Sequence, residues 1–172
     1  FYPTYWFNAV DWTGGVEIGI SGTDGNSESA SFRAGLKLGR KTDVDETKFN
    51  VTYLKATADG VQTQHNAVQN LGYERKFGDS RWSWFAKEAA EYDEFKAFDL
   101  RIALNGGLGY KFIDTDITKL KGRVGSGVSH EIGGPNDDWV AELVYGADFE
   151  RKLTERQSLS LTVDYFPEWG NV

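Results

Sequence analysis

Turn-forming residues punctuate this chain at nearly even intervals. Clusters of Gly, Asp, Asn, Ser and Thr centre near residues 24, 44, 60, 79, 95, 116, 135 and 155, so successive gaps are 20, 16, 19, 16, 21, 19 and 20 residues. Between the clusters apolar residues recur with period two, the spacing of side chains on one face of a strand. Leu100, Ile102, Leu104, Leu108, Tyr110 and Phe112 share one face, and Asp99, Arg101, Asn105 and Lys111 share the other. The same alternation runs through Val16/Ile18/Ile20, Phe32/Ala34/Leu36/Leu38, Phe49/Val51/Tyr53, Trp139/Ala141/Leu143/Tyr145 and Leu159/Leu161/Val163/Tyr165. Nine strands follow. The fourth, around Ala67 to Tyr73, has the weakest pattern, and Phe85 to Glu91 in the fifth has helical propensity. Trp82 and Trp84 alternating with Ser83, together with the turn spacing, make it a strand.

Strand length narrows the class. Removing about 5 residues of turn from a mean period of about 19 leaves strands of roughly 13, against the usual 5 to 6. At about 3.3 Å per residue and a tilt near 45°, such strands rise roughly 30 Å, the thickness of a bilayer's hydrocarbon core. The expected fold is all-β, an antiparallel up-and-down transmembrane β-barrel, with residues 1–11 as an N-terminal segment and 12–172 as the barrel domain. No apolar run is long enough for a spanning helix, and the mean hydropathy is −0.50. The 172 residues carry a net charge of 19 − 26 = −7, with basic residues scattered, which excludes nucleic acid as a partner. With no cysteine, there is no disulfide framework, thiol nucleophile or thiolate metal site. The sequence opens at Phe1 without methionine and reads as a processed or partial product.

Alternation alone does not say which face is inside. A soluble barrel turns its apolar residues inward and a membrane barrel turns them outward. Gly15, Gly19, Gly35, Gly39, Gly107, Gly109, Gly125 and Gly127 fall on the polar faces, among long charged residues. In a concave lumen glycine makes room for an arginine or lysine from across the barrel. Arg33, Lys37, Lys48, Arg101, Lys111, Lys121 and Arg123 share those faces with Glu17, Asp99, Glu131, Glu142, Asp148, Glu150 and Asp164, seven of each sign. Balanced charge points to an internal paired network, drawn chiefly from Glu17, Arg33, Lys37, Asp99, Arg101, Lys111, Arg123, Glu142, Asp148 and Asp164. Trp12, Trp82, Trp139, Tyr110, Tyr165 and Trp169 lie near strand ends, where interfacial girdles belong. The alternative is a lipocalin-like soluble barrel binding a hydrophobic ligand, with every face inverted.

Several motifs resemble a known family. Gly22-Thr23-Asp24-Gly25-Asn26-Ser27, the stretch Tyr92 to Arg101, Gly107-Leu108-Gly109-Tyr110 with Ile113-Asp114-Thr115-Asp116, and Val163-Asp164-Tyr165-Phe166-Pro167 are similar, in order, to the family called domain of unknown function 481. That family includes a salt-induced outer-membrane protein. The resemblance covers about residues 12 to 170. It implies an outer-membrane β-barrel of a Gram-negative-type bacterium, with no active site to carry over. It also implies further strands and an aromatic C-terminus beyond Asp164-Tyr165-Phe166-Pro167, whereas this sequence stops at Val172. Nine is an odd count, and bacterial barrels have even ones, so closing strands are expected to be missing from the sequence or supplied by a partner pairing with an edge strand.

Chemical signatures are sparse. Glu88, Glu91, Asp93 and Glu94 run into a turn; a hydrolase would draw on Glu91, Asp93 or Asp99, but nothing there sets two carboxyl environments apart. Asp24 to Glu28 and Asp114-Thr115-Asp116 lack the spacing of a calcium loop and read as turns. His65 and His130 fall on different strands with no second metal ligand. Asn105-Gly106-Gly107-Leu108-Gly109 sits inside a strand and is no nucleotide fingerprint. The expectation is therefore a non-enzymatic outer-membrane barrel without cofactor, metal or catalytic residue, a structural element or narrow pore whose partner is the lipid bilayer, or a subunit of a larger assembly.

Overall fold

The computed structural model describes residues 11–25, 28–135 and 138–168. It contains nine strands: β1 (Trp12–Thr23), β2 (Ser29–Lys41), β3 (Asp45–Ala58), β4 (Val61–Lys76), β5 (Trp82–Asp93), β6 (Leu100–Asp114), β7 (Thr118–Ile132), β8 (Trp139–Thr154) and β9 (Gln157–Tyr165). Each pairs antiparallel with its sequence neighbours, in the order β1 to β9. The weakly patterned fourth strand is 16 residues long, and the helix-prone stretch of the fifth lies wholly in β5. Sheet pairing on both sides overrides the helical propensity of Phe85 to Glu91.

The tightest connection is Asp59-Gly60 between β3 and β4, with φ of 50° and 77°. Positive φ at both central residues is what a two-residue hairpin turn needs to match strand twist, and glycine takes the second place without steric cost. Its neighbour Asp59 also accepts the Glu28 N–H at 3.0 Å, tying two turns at the same end together. Asn26, Ser27, Asn136 and Asp137 of the adjacent turns, the segment 1–10 and Trp169 lie outside the described residues.

Register sets the tilt. A line across the sheet runs Asp45, Arg75, Trp84, Leu108, Val124, Tyr145, Tyr165. It begins on the first residue of β3 and finishes eight residues beyond the first residue of β9, 165 − 157 = 8. Taking the turn-side strand ends as level, a stagger of 8 × ~3.3 Å over six spacings of ~4.8 Å gives a tilt of about 42°, the inclination of barrel strands.

The sheet curls toward its polar face. Lys87 on β5 reaches Asp164 on β9 at 2.9 Å, across four strand spacings, and Lys121 on β7 is ion-paired with Glu74 on β4. A flat sheet would hold β5 and β9 about 19 Å apart, beyond the combined reach of lysine and aspartate. These side chains therefore stand on a concave surface. Phe85 and Val144 share it and are the buried hydrophobic residues, 3% and 0% exposed.

The convex surface carries the apolar residues in the open. Val16, Ile18 and Ile20 are 74%, 68% and 80% exposed, and Leu104, Leu108, Val124, Leu159 and Leu161 are exposed as well. Aromatic rings border this surface in two belts. At one end Phe32, Tyr53, His65 and Tyr92 form a chain of ring contacts 5.4 to 6.1 Å apart, and His130 lies 4.8 Å from Trp139. At the other, Tyr73 meets Trp84 at 5.1 Å and Trp82 meets Tyr110 at 4.8 Å, with Phe112 beyond. The belts stand eight residues apart along β4 (His65 to Tyr73) and β5 (Trp84 to Tyr92). That is about 27 Å along the strand, or roughly 20 Å in height at the derived tilt. One polar pair interrupts the convex surface between the belts: Gln69 donates to Glu88 at 2.5 Å, so each satisfies the other.

Candidate functional site

The concave face is the candidate site. Its centre is a tetrad of two cations and two anions from four strands. Arg123 on β7 is ion-paired with Asp148 on β8, donating a second bond to it at 3.1 Å, and donates to Asp164 on β9 at 2.9 Å. Lys87 on β5 donates to the other oxygen of Asp164, and Thr162 donates to Asp148 at 3.0 Å. The Lys87 ammonium lies 5.9 Å from the ring centroids of both Phe85 and Phe166, inside cation–π range. The Arg123 side chain is only 9% exposed, so its two carboxylates supply the counter-charge that water would otherwise provide.

Nearer the 133–138 turn, buried Glu142 accepts from Arg101 at 2.9 Å and from Ser129 at 2.6 Å, with Glu131 3.9 Å from Arg101. Glu17 and Arg33 pair at 3.4 Å between β1 and β2, both half exposed. Lys111 pairs with Asp114 at 2.5 Å near the end of β6. Of the ten residues expected in the lumen, eight thus join ion pairs. Lys37 has no ion-pair partner among the described residues, and Asp99 lies in the bend before β6, where its N–H donates to the Ile132 carbonyl.

The concave face includes residues the sequence reading left out of the network. Lys87 and Glu74 were missed although both lie in phase with inward positions, because β4 and β5 were the weakest patterns. Glycine also works differently from expectation at its closest approach. Gly107 and Gly125 are cross-strand partners, and a side chain at Gly107 would meet the Val124 carbonyl at 2.2 Å and the Phe85 ring at 2.9 Å. The room here admits an aromatic ring, not an arginine. The expected charge-accommodating role is kept by Gly109, where a Cβ would stand 2.8 Å from Lys121 Cε, and is shared by Gly146, outside the expected set, where one would stand 2.4 Å from Asp164 and 2.9 Å from Arg123.

A second buried ion pair lies on the opposite face. Arg40 and Asp45 meet at 2.7 Å with both side chains fully buried, and Asp45 also accepts from Thr42 at 2.8 Å and from the Tyr73 hydroxyl at 3.2 Å. This cluster pins the β2–β3 turn beneath the Tyr73/Trp84 belt.

The acidic residues near the β5–β6 turn are engaged one by one. Lys96 is ion-paired with Glu91, Asp93 accepts the Phe95 N–H at 3.0 Å, and Glu94 binds His65 at 2.6 Å and Gln62 at 2.5 Å. Among the described residues no group of three or more His, Asp or Glu gathers as a metal set. The Asp114-Thr115-Asp116 segment is a turn in which Thr115 and Thr118 exchange bonds at 2.8 and 2.9 Å. In the turn, the hydrogen bond from His65 holds the Glu94 carboxyl below the ordinary glutamate value of 4.5, with Gln62 adding to it. A depressed carboxyl stabilises its fold above the unfolded value and loses that contribution as pH falls through the folded one. Protection of the Glu94 amide, which donates to the His65 carbonyl at 3.1 Å, should therefore hold from neutral pH down to about 4.5 and decline below it. In Glu94→Gln, hydrogen exchange at this amide should show no such step.

The family model for "Protein of unknown function, DUF481" matches residues 16–172, from β1 through β9. No curated protein and no solved structure matches the chain. The match takes in the whole concave network from Glu17 to Asp164, and the chain belongs to the DUF481 family.

Proposed function

We propose that this chain is the wall of an outer-membrane β-barrel in a Gram-negative-type bacterium, either structural or a narrow pore, with its lumen filled by paired charges. The observation that carries the reading is the inversion of faces: exposed aliphatic side chains on the convex surface and ion pairs on the concave one. A convex apolar band between two aromatic belts suits lipid flanked by two interfaces. A lipocalin-like barrel needs the opposite curvature, and among the described residues no concave apolar chamber supports the hydrophobic-ligand reading. Residues Lys87, Asp164, Arg123 and Asp148 would close the lumen at mid-height. With the N-terminus on the periplasmic side, the turns near 24, 60, 95 and 135 face outward. Among the described residues β1 pairs only with β2 and β9 only with β8, so both present free backbone groups to which closing strands or a partner protein could bond.

The test is the solvent that the folded state requires. In lipid vesicles or detergent micelles the protein should acquire strand structure, resist protease across β1 to β9 and lose both on transfer to plain buffer. Stable, monodisperse, folded protein without detergent or lipid would overturn the reading.

A further inference from the structure

Charge is distributed unevenly along the trough, and the imbalance is concentrated at one mouth. At the end bearing the turns 42–44, 77–81, 115–117 and 155–156, the concave face encloses a cavity of about 720 Å³ whose inner end is the Lys87, Asp164, Arg123, Asp148 tetrad. Deep in the cavity cations and anions cancel, since Lys121 has Glu74 and the tetrad is neutral, and nearer the mouth exposed Lys48 has Glu46 at 3.0 Å. Asp45 on the wall is paired with Arg40.

The rim does not cancel. Lys111 holds Asp114 at 2.5 Å, Lys119 stands opposite Asp114 as its cross-strand partner, and Lys76 lines the same mouth. Lys76 donates at 2.8 Å to the Asp43 carbonyl, which carries no net charge, and Lys119 has no carboxylate within 4.0 Å among the described residues. Three ammoniums against one carboxylate leave a surplus of 3 − 1 = 2 positive charges. Counting Lys41 and Glu150, which also line the mouth, leaves the same surplus, 4 − 2 = 2. Curvature of the sheet brings these strand ends to one mouth, because Lys76 closes β4 while Lys119 is the second residue of β7, three strands away.

We propose that this rim is a binding site for a soluble divalent oxyanion of the phosphate class, held by Lys76, Lys111 and Lys119. Lysine binds phosphate as a point charge, and a cleft lined by one sign of charge with low-dielectric walls focuses its field on an entering ion. The doubly charged ligand matches the surplus of two. The lysines stand on the concave face, so the ligand arrives through water and not from a lipid leaflet. Asp114 is its internal competitor, occupying the centre of the lysine cluster until an anion enters. This inference rests on the reading of the concave face as a lumen, and names what one of its mouths takes.

Inorganic phosphate is the probe, titrated into the full chain folded in non-ionic detergent at mildly alkaline pH, where it is divalent, and followed by calorimetry and phosphorus NMR line width. Saturable binding is expected, weakening as added salt screens the site. Lys76→Gln and Lys119→Gln should each weaken it about thirtyfold, the effect of one charge near 4 Å from a divalent anion in water. Asp114→Asn should tighten it by a similar factor, and Lys55→Gln, at the opposite end, should leave it unchanged. Should a lysine variant fail to fold, Asp114→Asn still decides, since it must bind more tightly. Absence of saturation in the parent, unchanged affinity in both lysine variants, or no gain in Asp114→Asn overturns the proposal. Loss of phosphate binding with vesicle insertion intact removes this inference alone, whereas folding without detergent removes the membrane reading.

Discussion

Arg123→Ala should destabilise the folded protein by about 3 kcal/mol, at the low end of the range for breaking a buried ion pair, because its carboxylate partners keep some water. Asp148 and Asp164 are 35% and 24% exposed, against 9% for Arg123. Removing the guanidinium leaves two carboxylates on adjacent strands with only Lys87 and Thr162 to answer them. A smaller loss is expected in the double variant Arg123→Ala/Asp148→Asn than the two single changes sum to, because the second substitution removes the charge the first exposes. Denaturant midpoints in a fixed detergent measure all three. Additivity of the two changes, or a loss below about 0.5 kcal/mol for Arg123→Ala, the level of an ordinary surface substitution, would place the tetrad outside the forces that hold the curl.

Gly107→Ala should be at least as damaging, costing about 3 kcal/mol, the upper end of ordinary overpacking. A flexible side chain can move away from an added methyl group, but the atoms it would meet are the Val124 carbonyl at 2.2 Å and the Gly125 Cα at 2.6 Å, which belong to the neighbouring strand. Relief means parting β6 from β7 where both are hydrogen-bonded. The matched control is Gly72→Ala on the same concave face of β4, where a Cβ meets nothing within 4 Å. There alanine should be neutral or mildly stabilising, since it lowers the entropy of the unfolded chain. Equal refolding yields and midpoints for the two variants would show that the close approach of β6 and β7 does not constrain the sheet.

The strand order and the division of each strand into an apolar and a polar face were legible from residue spacing. Trp82 alternating with Ser83 and Trp84 was enough to set β5 against its helical propensity, and the even turns supplied the antiparallel sequence of neighbours. The pairs formed within a hairpin, such as Glu17 with Arg33, follow from that register. Long chords such as Lys87 to Asp164 and Glu74 to Lys121 do not, because their partners are 77 and 47 residues apart and meet only when the sheet curves. His65 and His130 were discounted as ligands, yet their role as belt members follows from parity: His65 is in phase with Tyr73, eight residues on. The buried Arg40–Asp45 pair had no such signal. A charged residue at an apolar-phase position near a turn has the pattern of any exposed strand end.

By itself the sequence determined that this chain makes nine long strands in a meander, with apolar residues on one face and charges on the other. Local rules suffice for that, since period two and turn chemistry act over a few residues. The glycines and balanced charges of the polar face pointed to it as the inner one, and tertiary structure decided it. A two-faced strand is compatible with either curvature, and the choice emerges only where Arg123, Gly146 and Gly107 let one face close upon itself while the aliphatic face spreads outward. It also decided which charges cancel and which do not, leaving Lys76, Lys111 and Lys119 on one mouth of the sheet with Asp114 paired to Lys111.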